Sequence, residues 1–91
     1  MNGQERDSQH GRTLIVTLDA IEPSQACRIA AVRATGDLRR RLLAMGFVPG
    51  TPVEMVRAAP LGDPIEFRAR GYCLSLRRAE ARLVDVIPEG A

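Results

Sequence analysis

Turn signals recur roughly every eight to twelve residues along this chain, and that spacing holds every element to a short strand or a short helix. Pro23, Gly36, Gly46, the Pro49-Gly50 pair, the Pro60 to Pro64 cluster, Gly71 and Pro88 supply the breaks. A chain of 91 residues has room for one small core and no second one.

Between the breaks, Thr13–Leu18 is β-rich and predicts an opening strand, followed by a short turn that buries Leu18 and Ile21. Cys27–Arg33 predicts a second strand. Ala30 and Ala31 interrupt its alternation, which implies a bulge or a strand buried on both faces. Thr35 and Asp37 are cap candidates beside Gly36, and LRRRLLAM then predicts a helix stopped by Gly46. At 100° per residue Leu38, Leu42 and Met45 fall on one stripe, while Leu43 lies off it. Val48-Pro49-Gly50 predicts a tight turn and Val53–Ala58 a strand. After the loop Ala59–Pro64, Ile65–Arg70 alternates cleanly, with Ile65, Phe67 and Ala69 on one face. Gly71 permits a reversal into Tyr72–Leu76, where Cys73 and Ser75 face away from Tyr72, Leu74 and Leu76. Arg77–Ala81 predicts a single turn at most, and Arg82–Ile87 the closing strand.

The pattern predicts a mainly all-β fold, a small antiparallel barrel of five to six strands with one short α-helix. A sandwich would need more chain, and closure of the barrel would remove exposed edges. Residues 1–12 read as a flexible lead, 13–88 as the folded domain and 89–91 as a tail.

Composition narrows the function. All 13 basic residues are arginine, and 11 acidic residues interleaved with them leave a net charge of +2. With only Phe47, Phe67 and Tyr72 as aromatics, a base-stacking platform is nearly excluded. No run approaches the about eighteen apolar residues of a transmembrane helix, and no apolar signal core opens the chain, so a cytoplasmic location without membrane insertion is expected. His10 is the only histidine and lies in the lead, so no catalytic constellation is expected. Glu54, Asp63, Glu66 and Asp85 read as solvated carboxylates rather than an acid–base pair. Without lysine there is no phosphate-binding loop. Cys27, Cys73 and His10 are the only soft metal ligands, and none is paired at a chelating spacing. Both cysteines are expected as buried or half-buried side chains, with no intrinsic metal site and no cofactor.

Two ordered runs carry a family resemblance. Leu38–Gly50, LRRRLLAMGFVPG, resembles the helix-and-turn signature of the ferrous iron transport protein A (FeoA) family. Ala59–Arg78, APLGDPIEFRARGYCLSLRR, is similar to that family's loop, strand, glycine turn and Leu-Ser-Leu strand in the same order. LDAIEPSQACRI resembles the family's start, with Ser24 standing where a Pro-Gly pair is more typical. The resemblance implies an SH3-like barrel in the bacterial cytoplasm. It also implies an accessory of the membrane ferrous iron transporter FeoB, acting through that transporter's cytoplasmic G-protein domain.

Against such a partner, one of Arg39, Arg40 or Arg41 could serve as an arginine finger, but a solvated helix face is the plainer expectation. Leu43 beside Arg39 and Arg40 has the composition of a partner-binding anchor; the competing reading packs it under the following loop. Leu61 is either a second contact or a lid on the barrel end. The expectation is therefore a non-enzymatic adaptor with Arg39, Arg40, Leu43 and Leu61 as its contact residues. The rival is a barrel that binds nucleic acid through its arginines, and a third possibility is weak homo-oligomerisation through an open barrel edge.

Overall fold

The computed structural model describes residues 13–90. The expected lead at 1–12, with His10, and the last residue of the expected tail lie outside them. Six strands form one antiparallel sheet: β1 (Val16–Thr17), β2 (Ala26–Val32), β3 (Pro52–Ala58), β4 (Ile65–Ala69), β5 (Tyr72–Leu76) and β6 (Val84–Pro88), in the order β1-β6-β2-β3-β4-β5. Helix α1 (Gly36–Ala44) connects β2 to β3, and a four-residue helix, α2 (Arg78–Ala81), connects β5 to β6. The result is the small, mainly β architecture that the turn spacing demands.

Alternation explains which faces are buried. Ile65, Phe67 and Ala69 on β4 are all buried, as are Val53 and Met55 on β3 and Val84 and Val86 on β6. Phe47 and Phe67 are fully enclosed in this core, and burial of a side chain of that size stabilises the fold by about 1.5–3 kcal/mol. Register shifts between Ile29 and Ala31 and between Met55 and Arg57 bend β2 and β3, curling the sheet around the core. The first of these is the irregularity at Ala30-Ala31 visible in the sequence. Leu42 is fully buried on the core stripe of α1, with Leu38 and Met45 packed partly against the core beside it.

Three expectations need correction. The opening strand is only Val16–Thr17, because Leu18–Ala20 turns into a 3-10 helix that buries Leu18. Thr35 sits at the N-cap of α1, yet its side chain makes no capping hydrogen bond. The barrel is also not closed by hydrogen bonds: β1 and β5 end the sheet and do not pair. A two-residue β1 is too short to continue the ladder, and α2 instead bridges the gap at one end, packing against the 3-10 turn and β5.

Candidate docking surface

The helix α1 presents its arginines to solvent, where each is held locally. Arg39 Nη1 donates to the Val32 carbonyl at 3.0 Å, Arg40 pairs with Asp37 one turn earlier, and Arg41 lies 3.6 Å from Glu80. These contacts are exposed and individually weak, so they orient the side chains without locking them. Leu43 is 37% exposed on the same helix, more covered than open. The C-terminus of α1 is closed by Gly46 at φ 90, whose N–H donates to the Leu43 carbonyl at 3.0 Å, followed by Phe47 N–H to Leu42 at 2.9 Å.

Leu61 is presented differently. It stands 96% exposed at the tip of the β3–β4 loop and covers nothing, so it is not a lid on the barrel end. The loop around it is rigidly held. Ala59 N–H donates to the Pro64 carbonyl at 2.9 Å and Gly62 N–H to Ala59 at 2.7 Å. Arg78 donates Nε and Nη2 to the Gly62 carbonyl at 3.1 and 2.9 Å, and Nη1 to the Asp19 carbonyl at 3.1 Å. Asp63 Oδ1 accepts the Arg78 N–H at 2.9 Å. An exposed leucine on a pre-ordered loop costs little entropy to bury against a partner. Sequence reasoning singled out Leu61 but not Arg78, whose hydrogen bonds to Gly62 and Asp63 hold the loop around it. The only hint was an arginine opening the turn after β5.

A groove of about 920 Å³ runs between the end of α1 and the β4–β5 hairpin, lined by Ala44, Met45, Gly46, Val48, Arg70 and Tyr72. None of the four sequence-predicted contact residues lines it. Tyr72 and Val48 are 63% and 41% exposed, and the Arg70 side chain lies across Gly46, where a Cβ would collide with it.

Among the described residues no three of His, Cys, Asp and Glu come together. Cys27 is buried, and burial, with Glu89 adding to it, pushes its thiol up to about 11. Cys73 corrects the expectation of two enclosed cysteines: it is exposed, because the β5 alternation turns it to the outer face with Ser75. Seven of the described carboxylates pair with arginines, while Asp63 accepts the Arg78 backbone N–H instead. Arg33 grips both Asp85 oxygens at 2.9–3.1 Å, a hydrogen-bonded pairing that raises the guanidinium pKa, while Glu66 holds Arg57 at 2.9 Å and Glu54 holds Arg68 at 3.2 Å. Among the described residues no helix is long and apolar enough to cross a membrane.

The FeoA domain family model matches residues 16–88. An Fe(2+) transport protein A/Fe(2+) transporter FeoB fusion protein from Porphyromonas gingivalis is 43% identical over 58 residues, which are 64% of this chain and only 7% of the fusion. A FeoA-like protein from Clostridium acetobutylicum is 34% identical at a TM-score of 0.78, covering 88% of this chain and 93% of its own. The zinc complex of FeoA from Stenotrophomonas maltophilia, a prokaryotic SH3 domain protein, is 31% identical at a TM-score of 0.70 and covers 78% of this chain and 88% of its own.

Proposed function

The chain belongs to the FeoA family, whose role is in ferrous iron transport, and from that premise we propose that it is a non-enzymatic cytoplasmic adaptor that binds the transporter FeoB through protein contact. The observation that carries this reading is the Porphyromonas gingivalis fusion, in which a relative of this chain and the transporter form one polypeptide. A fusion of this kind supports association between the corresponding separate chains. The Stenotrophomonas maltophilia relative has itself been put forward as a ferrous iron transport activating factor.

Support for contact rather than catalysis comes from the described carboxylates, most of which are engaged by arginines, and from the rigid display of Leu61. In this reading Leu61 is the apolar anchor, and Leu43 with Arg39 and Arg40 forms a second contact on α1. The partner surface is the transporter's cytoplasmic G-protein domain.

The test is a pull-down of that domain, loaded with GDP or with a GTP analogue, on the immobilised chain. Retention of the domain is expected, with Leu61→Glu weakening it by about ten-fold or more and Leu43→Glu by less. No retention in either nucleotide state would overturn the reading, and wild-type affinity in both variants would reject these surfaces.

A further inference from the structure

We propose that the free edge of β5 accepts an extended polypeptide segment carrying acidic residues at both ends, which adds to the sheet as one more strand. The inference rests on the reading of this molecule as an adaptor that works by protein contact, but not on which protein carries the segment.

The hydrogen-bonding pattern defines the edge. Ala69 pairs with Tyr72 across the two-residue turn Arg70-Gly71, where φ is positive at both positions, 54 and 82. In a tight hairpin of this kind the flanking residues form a hydrogen-bonded pair, and the pattern then alternates along the ladder. Tyr72, Leu74 and Leu76 therefore bond to β4, while the backbone N–H and C=O groups of Cys73 and Ser75 point away from the sheet. β5 is the last strand in the order, so among the described residues no further strand meets them.

Natural edge strands are usually blunted by charge, proline or a bulge. β5 has none of these: Tyr72-Cys73-Leu74-Ser75-Leu76 is uncharged, and its register with β4 is unbroken. A row of alternating donors and acceptors spaced as a strand is complemented by another polypeptide backbone, not by a phosphate chain.

Charge selects the occupant. Arg28, Arg33, Arg40, Arg41, Arg57, Arg68 and Arg82 each pair with a carboxylate. The Arg39 and Arg78 guanidinium groups donate to backbone carbonyls. Among the described residues that leaves Arg70 and Arg77 with no partner for their guanidinium groups, and these two flank β5, one at each end. Arg70 also holds a left-handed backbone, φ 54, that glycine would adopt at lower cost. A second copy of β5 fits poorly here. Antiparallel pairing would set the Arg70 end against the Arg77 end of the copy, and parallel pairing would set each arginine beside its equivalent. Like charges meet either way, at a cost in stability. A segment with acidic ends meets both free cations, and the groove beside Arg70 and Tyr72, with Met45 and Val48 on its far wall, takes the side chain at one end.

The experiment uses isotope-labelled full chain and two synthetic eight-residue peptides with the same alternating valine–threonine centre, one ended in aspartate and glutamate, the other in lysine. The acidic-ended peptide is expected to slow amide exchange at Cys73 and Ser75 and to bind about ten-fold more tightly than the lysine-ended one. Arg70→Glu combined with Arg77→Glu should reverse that preference, with unchanged core resonances showing that the fold persists. Unaltered Cys73 and Ser75 amides, or equal affinity for the two peptides, would overturn the inference. So would protection of those amides by self-association without peptide. Peptide capture with no binding of the transporter's G-protein domain would leave the edge standing and remove the transporter reading. Binding of that domain with no peptide effect would do the reverse.

Discussion

Burial of Cys27 gives a single thiol control over alkaline stability. Its folded pKa of about 11 lies above the ordinary 9.0, so the neutral thiol is favoured in the folded state. The stability this contributes is complete below pH 9 and is lost between about pH 9 and 11, as the unfolded chain ionises first. Two units correspond to about 3 kcal/mol at most. Urea unfolding at pH 8 and pH 10.5 should therefore show a steeper alkaline loss in the wild type than in Cys27→Ala. Equal losses would mean the buried thiol ionises as freely as an unfolded one. Cys73, by contrast, is exposed on β5. A thiol reagent should modify one cysteine in the folded protein and both after denaturation. Ser24 is the third residue with a readable consequence. It adopts φ 70, the left-handed conformation that glycine takes without steric cost, at the point where the family resemblance favours a Pro-Gly pair. Ser24→Gly should leave the fold unchanged and raise stability by about 0.5–1 kcal/mol in denaturant titration, because relief of strain exceeds the added chain entropy.

At the scale of elements, Arg78 ties three parts of the barrel together through the Gly62 and Asp19 carbonyls. Arg78→Met keeps the stem but strands both carbonyls, so it should cost about 1–3 kcal/mol of stability. It should also loosen the Leu61 loop, read as faster amide exchange at Gly62. A loss confined to the loop's exchange rate, without a change in stability, would show that Arg78 orders the loop alone. The elements themselves were largely legible from the sequence. Period-two alternation in Ile65–Ala69, the stripe of Leu38 and Leu42, and the break at Ala30-Ala31 are properties of neighbouring residues, and local pattern reports them directly. Less legible was what depends on pairing. Alternation set Cys73 opposite Leu74 and Leu76 but showed neither that its face is open nor that β5 ends the sheet, because a strand's neighbours are set by topology. The candidate site divides the same way. Leu61 and Leu43 stand out as apolar residues off the core pattern. The Arg70 and Tyr72 groove joins segments 25 or so residues apart, and no local signal marks it.

For the molecule as a whole, the surviving rival is a nucleic-acid-binding barrel, and the arginine pairing decides how it should behave. The net charge of +2 understates how far the cations are neutralised one by one, since seven described arginines already have carboxylate partners. Breaking an exposed pair to reach a phosphate returns little, because the carboxylate left behind repels the same phosphate. Among the described residues the guanidinium groups of Arg70 and Arg77 have neither a carboxylate nor a carbonyl partner to give up, so they displace counterions most readily. Two phosphate contacts on a single strand give a slope of log affinity against log salt near −1.4, whereas a dedicated binder using six or more arginines would exceed about −4. Fluorescence anisotropy with a labelled single-stranded RNA, titrated between low and physiological salt, should find weak binding with the shallow slope. Arg70→Glu should abolish most of it. A slope steeper than about −4 would mean that the ion pairs open to recruit phosphate, and the adaptor reading would then yield to the nucleic-acid one.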